Sequence, residues 1–440
     1  MSQQEIERRT LGKVSWRVLP LVVAAYFVAN LDRANISYAS LQMNQDLGLS
    51  AEQFGQGAAL FSLTYLLLEV PSNLALERFG ARLWIARIMI TWGLISGATA
   101  WVVGPTSFVV MRMLLGAGEA GLVPGVLLYI TYWFPNILRG RAVAIFLVAA
   151  PVSNVVSSLL AAPLLGMDGL AGLRGWQWLL IVEASPAVIL GAIVAFAMTD
   201  RPSNARWLAP EERQWLERRL DQEKTKFVGA RPSWWRTAIK PRVMALALIY
   251  AGRNVGAFGI TFFLPQIVRD LGLNTTQIGI VNALSYFAAV VGMVLWARSS
   301  DRTGERRWHL TATMVLAAGG LATAAWLGSS QWSLLALAIA GIGYFSCPPG
   351  IFAISPSVLA PAEAAGGLAF INSFAQLGSI VGPYGAGWIK SETGSFQDAM
   401  YFMAGASLLA AIIAACIRVS NTGRSTPIAS GDQVALQEAS

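Results

Sequence analysis

Three observations predict an all-α membrane protein with twelve transmembrane helices, arranged as two six-helix parallel repeats. Of the 440 residues, 55% are hydrophobic and only 13% are charged, about half the charge of a typical soluble domain. The apolar residues form blocks of about 20, the length that crosses a ~30 Å hydrocarbon core. The segments DLGLSAEQFG (46–55) and ERFGAR (77–82) recur as DLGLNTTQIG (270–279) and DRTGER (301–306). Because both matches have the same offset, they indicate an internal repeat.

The hydropathy pattern places six spans in each half of the chain. The first half has spans near 18–41, 54–76, 82–103, 107–133, 142–165 and 176–198. The second half has spans near 243–268, 277–297, 309–329, 332–358, 363–389 and 396–418. The predicted organisation is therefore an N-terminal half (1–198), a cytoplasmic linker (199–240), a C-terminal half (241–420) and a cytoplasmic tail (421–440). Within the linker, Pro210 followed by Glu211 and Glu212 predicts the start of an amphipathic helix.

The basic residues predict the orientation. The chain has a formal net charge of +8 from 32 Lys and Arg against 24 Asp and Glu. If both termini are cytoplasmic, 25 of the 32 basic residues lie in or beside cytoplasmic segments, as the positive-inside rule requires. The excess positive charge thus reflects membrane topology and does not indicate nucleic-acid binding.

Several function classes receive no support from the sequence. The two cysteines, Cys347 and Cys416, lie in apolar blocks, and His309 is the single histidine, so neither a disulfide nor a metal site is expected. The glycines of GAGEAG (116–121) do not follow a strand, so they are not a nucleotide loop and are expected to permit close helix packing. We expect no cofactor, no nucleotide and no enzymatic activity.

The first span carries adjacent charges, Asp32 and Arg33. The apolar run before them, residues 18–29, is only ~18 Å long as a helix and cannot cross a bilayer alone. The helix must therefore continue through both charges. Adjacent helical residues point about 100° apart, so one side chain can face a central cavity while the other faces a neighbouring helix.

The fourth span carries Arg112 and Glu119, which are seven positions apart and therefore project from one helix face. Ionisable residues inside membranes are costly and usually functional. Arginine recognises carboxylates through a planar fork, and a desolvated Asp or Glu exchanges protons near neutral pH. The four charges of Asp32, Arg33, Arg112 and Glu119 thus predict proton-coupled transport of an organic anion. Salt bridges that only hold helices together are the structural alternative.

Other polar residues within spans are weaker candidates. Arg253 is either a second carboxylate receptor, suited to a dicarboxylate, or a charge paired with Glu183 or a backbone carbonyl. Glu69 and Arg87 lie nearer the cytoplasmic ends, where a structural role is expected, and the role of Glu183 stays open. The neutral candidates for substrate contact are Asn35, Asn154, Tyr286, Asn372 and Gln376, each of which also suits a helix–helix hydrogen bond.

A cytoplasmic loop motif recurs between the second and third spans of each half. It consists of Glu77, Arg78, Gly80 and Arg82 in the first half, and of Asp301, Arg302, Gly304 and Arg306 in the second. The glycines permit tight turns, and the acids can accept hydrogen bonds from arginines or from a helix N-terminus. We predict a latch that holds one conformation, with simple positive-inside anchoring as the alternative.

The loop motif resembles that of the major facilitator superfamily, although Asn73 and Ala297 stand where that family usually has glycine. Four segments narrow the resemblance to the anion:cation symporter family and its bacterial tartrate-type transporters: LDRAN (31–35), EVPSNLALERFGAR (69–82), RMLLGAGEAGLVPG (112–125) and GWQWLLIVEASPA (175–187).

The resemblance implies a monomeric symporter of the bacterial inner membrane that imports a small organic anion with protons by alternating access. In the resembled family, the matching first- and fourth-helix positions are linked to substrate binding and proton coupling. Transport of an aromatic carboxylate, anion exchange and a non-transporting sensor on the same scaffold remain alternatives.

Overall fold

The first helix passes through its charged pair without a break. In the computed structural model, which describes residues 3–225, 237–359 and 363–417, helix α1 runs from Gln3 to Asp46. This confirms that Asp32 and Arg33 lie within a continuous helix. We call the end of the bundle where α1 begins the terminal end, and the end where α1 finishes the far end.

The described residues form fourteen α-helices that follow the predicted spans closely. They are α1 Gln3–Asp46, α2 Ala51–Phe79, α3 Ala81–Ala98, α4 Pro105–Glu119, α5 Leu122–Trp133, α6 Asn136–Leu165, α7 Gly175–Ala197, α8 Pro210–Thr225, α9 Pro241–Arg269, α10 Thr275–Thr303, α11 Arg306–Leu327, α12 Trp332–Val358, α13 Ala364–Thr393 and α14 Phe396–Cys416. In this part of the chain, eleven segments are long and apolar enough to cross a membrane, with α4 and α5 counted as one. Helix α13 occupies the place of the remaining predicted span, 363–389.

The two halves repeat the same helix packing. In the first half α1 packs on α6 and α7, and α3 packs on α7. In the second half the equivalent helices pair in the same way, with α9 on α13 and α14, and α11 on α14. The internal repeat read from the loops is therefore also a repeat of tertiary contacts.

The halves meet mainly where α2 packs on α13 and α6 packs on α10. Within the described ranges, the hydrogen bonds that join the halves all lie at the far end; examples run from Gln266 to Ser40 (2.9 Å) and from the backbone N–H of Glu52 to Ser391 (2.9 Å). Gly55 permits the α2–α13 approach, because a Cβ there would lie 2.4 Å from the carbonyl oxygen of Pro383. The far end is thus the closed end.

The linker helix α8 is attached to the first half. It begins at Pro210, as predicted, and the buried carboxylate of Glu212 accepts hydrogen bonds from Lys13 Nζ at 2.8 Å. Leu216 and Leu220 are buried in the hydrophobic core of this half. Just before α8, the ring of Trp207 stacks on that of Trp133 with centroids 5.4 Å apart. Helix α8 is therefore packed as part of the first half.

Candidate functional site

Arg33 and Glu119 form an ion pair between α1 and α4. Both Nε and Nη2 of Arg33 approach Oε1 of Glu119, at 2.8 and 2.7 Å. The Glu119 side chain is fully buried, whereas 24% of the Arg33 side chain is exposed. The second carboxylate oxygen, Oε2, is buried without a hydrogen-bond partner. The pair therefore uses only one oxygen of Glu119.

The fourth span is broken immediately after Glu119, whereas the sequence predicted one helix over 107–133. Helix α4 ends at Glu119, Ala120 is extended (ψ 131°) and Gly121 has a left-handed conformation (φ 89°) before α5 begins. Glycine is required there because a Cβ would lie 2.4 Å from Oγ of Ser72. Polar side chains at broken membrane helices are a recurrent arrangement at transporter sites.

Asp32 faces away from Arg33 and lies between α1 and α3. Its carboxylate accepts hydrogen bonds from Asn35 Nδ2 (3.1 Å), from Trp92 Nε1 (3.1 Å) and from the Ser96 hydroxyl. The amide and indole nitrogens can only donate, whereas a hydroxyl can also accept. Of these three partners, only the Ser96 hydroxyl could also accept a hydrogen bond from the Asp32 carboxyl group.

Arg112 is buried, and it has no carboxylate partner among the residues that the structure describes. Its side chain is only 2% exposed, and its Nε and Nη2 atoms have no hydrogen-bond partner. The guanidinium lies 4.6 Å from the ring centroid of Phe61 and 5.8 Å from that of Phe262 on α9. The guanidinium of Arg33 lies 5.7 Å from the same Phe61 ring. One aromatic ring thus contacts both arginines.

In the second half, Arg253 is held by a polar cluster between α9 and its neighbours. Its Nε donates to the Tyr344 carbonyl and its Nη1 donates to Asn254 Oδ1, both at 2.9 Å. The predicted alternative of a partner carbonyl is confirmed, whereas pairing with Glu183 is wrong, because Glu183 instead accepts from Ser157 at 3.3 Å. Arg253 is half-buried on α9, a helix that also packs on α1. Arg253 therefore lies on a second-half helix adjacent to the helix that carries Arg33.

The neutral candidates are distributed over several contacts. Asn35 is a ligand of the Asp32 carboxylate. Gln376 accepts from Ser379, which in turn receives a hydrogen bond from Asn254, so it belongs to the Arg253 cluster. Asn372 is half-buried on the same helix. The backbone carbonyl of Asn154 accepts a hydrogen bond from the Ser158 hydroxyl, and the ring of Tyr286 packs edge-on against that of Phe345.

Ser158 belongs to a hydrogen-bond chain that closes the far end. Its hydroxyl lies 2.6 Å from the hydroxyl of Tyr38, which accepts from Asn282 across the interface between the halves at 3.2 Å. Asn154 is therefore next to a closing contact.

Glu69 and Arg87 differ in their surroundings. One carboxylate oxygen of Glu69, Oε2, is buried without a hydrogen-bond partner. Arg87 stacks 4.0 Å from the ring centroid of Trp84, which supports a packing role for its side chain.

The predicted latch residues form turns but no ion pairs with one another in the described part of the chain. Gly80 (φ 89°) and Gly304 (φ 68°) make the tight turns that the sequence predicted. Arg306 donates to the carbonyl of Ala353 near the end of α12, whereas Glu77, Arg78, Asp301 and Arg302 are exposed.

The acid that receives a helix N-terminus at the first latch turn is Asp200, which the sequence did not indicate. Its Oδ1 accepts from the backbone N–H of Arg82 at 2.8 Å. Glu77, which the sequence predicted as the acceptor at this turn, is exposed, and Asp200 accepts the hydrogen bond from the helix N-terminus instead. Asp200 lies 118 residues from Arg82 in sequence, so motif spacing could not reveal the contact.

Sequence reasoning also missed Phe61, Tyr65, Trp92 and Ser96. All four side chains are uncharged, so they do not stand out among the polar and apolar residues of a span as Asp32 and Arg33 do. Tyr65 lies four residues after Phe61 on α2, and its ring centroid is 5.1 Å from the Arg33 guanidinium. An i,i+4 aromatic pair beside a charged span was the available signal.

Comparison with known proteins gives concordant matches over nearly the whole chain. A family model described as Major Facilitator Superfamily matches residues 22–266 and 246–437. The chain is 47% identical over 409 residues to an Agrobacterium vitis protein named "Putative tartrate transporter", covering 93% of this chain and 91% of that protein. It is 34% identical to the inner membrane transport protein RhmT of Escherichia coli (strain K12), covering 94% and 96%.

A crystal structure gives the same fold. It is that of a bacterial homologue of the human lysosomal transporter Spinster, in an inward-facing and occupied conformation. It superposes with a TM-score of 0.74 at 17% identity, covering 90% of this chain and 95% of that one.

Proposed function

The chain belongs to the major facilitator superfamily and is a multi-pass secondary transporter, and from that premise we propose that it imports a small organic anion together with protons. Arg33 and Arg112 bind a substrate carboxylate, and Asp32 and Glu119 carry protons. The substrate is a carboxylate such as tartrate or a related hydroxy or sugar acid; tartrate is the compound in the name of the relative at 47% identity.

One observation carries this proposal: Arg112 is buried beside the Arg33–Glu119 pair, yet no carboxylate of the described residues pairs with it. Removing an arginine from water costs several kcal/mol unless hydrogen bonds compensate. A substrate carboxylate supplies both the negative charge and two acceptor oxygens for Nε and Nη2. The shared Phe61 ring keeps Arg33 and Arg112 in one region, where a single anion can reach both.

Proton coupling follows from competition for Arg33. While Glu119 is ionised, its Oε1 holds both Nε and Nη2 of Arg33. Protonation of Glu119 weakens this pair and frees the same nitrogens for a substrate carboxylate. Substrate and proton therefore bind together. Asp32 serves as a second proton site, since Ser96 can reverse its hydrogen bond when Asp32 is protonated.

The second half contributes Arg253, Tyr286, Asn372 and Gln376 as further substrate contacts, and the first half adds Asn35 and Asn154. Arg253 receives a second carboxylate when the substrate has one. Its Nη2 takes part in none of the hydrogen bonds formed by the described residues. A substrate that contacts both halves can influence the movement of one half against the other, as alternating access requires.

The positive-inside rule makes the terminal end cytoplasmic. Closure at the far end then corresponds to an inward-facing state, and the exposed latch residues of both loops correspond to a released latch. Residues 1–198 rock against 241–420, and the latch engages when the cytoplasmic end closes. The protein resides in the bacterial inner membrane, as the name of the 34%-identical relative supports.

Uptake by reconstituted protein tests the coupling. Proteoliposomes carrying the full chain are given radiolabelled tartrate with and without an inward proton gradient. Symport predicts accumulation only with the gradient, whereas counterflow proceeds without it. Exchange of two anions predicts counterflow with no response to the gradient, and uptake that ignores an imposed gradient would argue against proton coupling.

A substrate screen separates the remaining alternatives. Competition against labelled tartrate by galactonate, phthalate, hydroxyphenylacetate and nicotinate distinguishes hydroxy and sugar acids from aromatic carboxylates. A protein that binds one of these anions without counterflow would be a sensor on the transporter scaffold.

A further inference from the structure

A pocket of about 670 Å³ lies at the terminal end of the first half, apart from the central charges. This volume is in the range of about 300–1,000 Å³ that small-molecule sites occupy. The start of α3, the end of α7 and the linker leading into α8 form its walls. The lining side chains that matter here are Arg82, Phe196, Asp200, Arg206, Trp207 and Arg213.

The three arginines of this pocket have spare hydrogen-bonding capacity. None of them forms an ion pair with a described residue. The Nε atom of Arg82 is buried without a hydrogen-bond partner. Arg213 donates through Nη1 to the carbonyl of Ser203 at 3.3 Å, which leaves its charge uncompensated.

The single acid of the pocket is already engaged. Oδ1 of Asp200 accepts from the backbone N–H of Arg82 at 2.8 Å, at the positive end of α3. The pocket is therefore lined by three arginines and one aspartate, and the aspartate carboxylate already accepts a hydrogen bond from the first turn of α3. The pocket favours an anion with several acceptor oxygens.

The pocket also adjoins the apolar surface of the bundle. Phe196, one of its lining residues, is 89% exposed, and Leu83, next to Arg82, is 55% exposed. In a membrane-spanning bundle such side chains face lipid. The arginines thus lie where the apolar surface ends and the polar linker begins, at the level of lipid headgroups.

We propose that this pocket binds a phosphate group, presented either by an anionic phospholipid headgroup or by a free phosphate anion. The planar forks of arginine match phosphate oxygens bidentately, and basic pockets at the cytoplasmic boundary bind anionic headgroups. The ligand joins Arg82, at the first latch turn, to Arg213 on α8. It thereby stabilises the docking of the linker onto the first half.

Native mass spectrometry of the full chain in detergent tests the proposal. Phosphatidylglycerol and phosphatidylcholine are titrated onto the wild-type protein and onto the double variant Arg206→Gln/Arg213→Gln. The matched control, Arg141→Gln/Arg218→Gln, removes two exposed arginines outside the pocket. In parallel, the thermal midpoint of each protein is measured with and without inorganic phosphate.

A lipid ligand predicts that the Kd for phosphatidylglycerol rises about 30-fold in the pocket variant, with the control unchanged and no response to inorganic phosphate. A free phosphate ligand predicts that inorganic phosphate raises the midpoint of the wild type but not of the pocket variant. Equal lipid affinity and equal phosphate response in wild type and pocket variant overturn the proposal, as does an equal loss in the control. If the double variant misfolds, Arg206→Gln alone, at an exposed position, supports the same comparison with about a fivefold change in Kd.

Discussion

Two nitrogens of Arg33, Nε and Nη2, contact the same oxygen of Glu119, Oε1, at 2.8 and 2.7 Å. The other oxygen, Oε2, has no hydrogen-bond partner among the described residues. An arginine and a carboxylate that meet side by side usually share two parallel hydrogen bonds across both oxygens. Here a single oxygen accepts both, so the pair is not in its strongest geometry. Such a pair suits a function in which it must separate.

Glu119→Gln tests the coupling role of this pair. The amide cannot exchange a proton, and its uncharged oxygen attracts Arg33 less strongly than the carboxylate does, in every state. We expect the variant to lose the accumulation of substrate driven by a proton gradient and to retain counterflow. Glu392→Gln, an exposed acid at the far end, is the control that should keep both activities. Gradient-driven accumulation by the Glu119 variant at the wild-type level would show that another group carries the proton.

Asp32→Asn separates the second proton site from the first. The asparagine cannot be ionised, and its one acceptor oxygen keeps the hydrogen bond from Trp92 or the one from Asn35 but not both, because these donate to different oxygens of Asp32. We expect a loss of proton-driven uptake with partial counterflow, measured in proteoliposomes. Ser96→Ala is the companion variant, because it removes the group that accommodates the proton and leaves the carboxylate. The Ser96 variant should transport with a shifted pH profile, and an unchanged profile would exclude Ser96 from proton transfer.

Arg112→Gln separates binding from stability. If Arg112 is the proposed carboxylate receptor, removing its guanidinium should lower tartrate affinity about 30-fold or more. Thermal stability should not fall, because the substitution also removes two buried nitrogens, Nε and Nη2, that have no hydrogen-bond partner among the described residues. Calorimetric titration and a thermal melt measure the two quantities. Arg87→Gln on the neighbouring helix α3 is the matched control and should bind normally.

Gly55→Val should prevent closure of the far end. The new side chain meets the Pro383 carbonyl, which a Cβ would approach to 2.4 Å. Spin labels at exposed Leu170 and Glu392, one in each half, measure the separation across that end, with Cys416 replaced by serine. We expect the distance distribution to lengthen. Gly405→Val, where no atom lies within 4 Å of a Cβ, should leave it unchanged.

Glu212→Gln should loosen the linker helix α8. Burial raises the pKa of the Glu212 carboxyl, but hydrogen bonds from Lys13 and the Ala209 N–H outweigh this and hold the pKa below its usual value near 4.5. The stabilisation is therefore present above pH 4.5 and is lost as pH falls through the lowered value.

Hydrogen exchange measures that change directly. At pH 7 we expect amides of α8 to exchange about fivefold faster in the variant, corresponding to roughly 1 kcal/mol of local opening free energy. Glu211→Gln, the exposed neighbour on the same helix, should exchange like the wild type. Equal rates in all three proteins would mean that apolar packing alone holds α8.

Sequence alone determined the placement of the spans, the repeat and the passage of α1 through Asp32 and Arg33. Bilayer thickness fixes how many apolar residues a span needs, and the spacing of 3.6 residues per turn fixes which charges share a helix face. These are local quantities, so they can be read from a single chain. The start of α8 at Pro210 is local for the same reason.

Only the tertiary structure decided which charges meet. The charges of Arg33 and Glu119 are 86 positions apart, and Asp200 is 118 positions from the Arg82 backbone N–H that it accepts from, so no local pattern encodes either contact. The break after Glu119 also depends on α2, because Ser72 leaves no room for a side chain at Gly121. Packing between distant helices placed Asp32 against α3 and Arg33 against Glu119 of α4, and it left Arg112 buried among aromatic rings with no carboxylate partner in the described part of the chain.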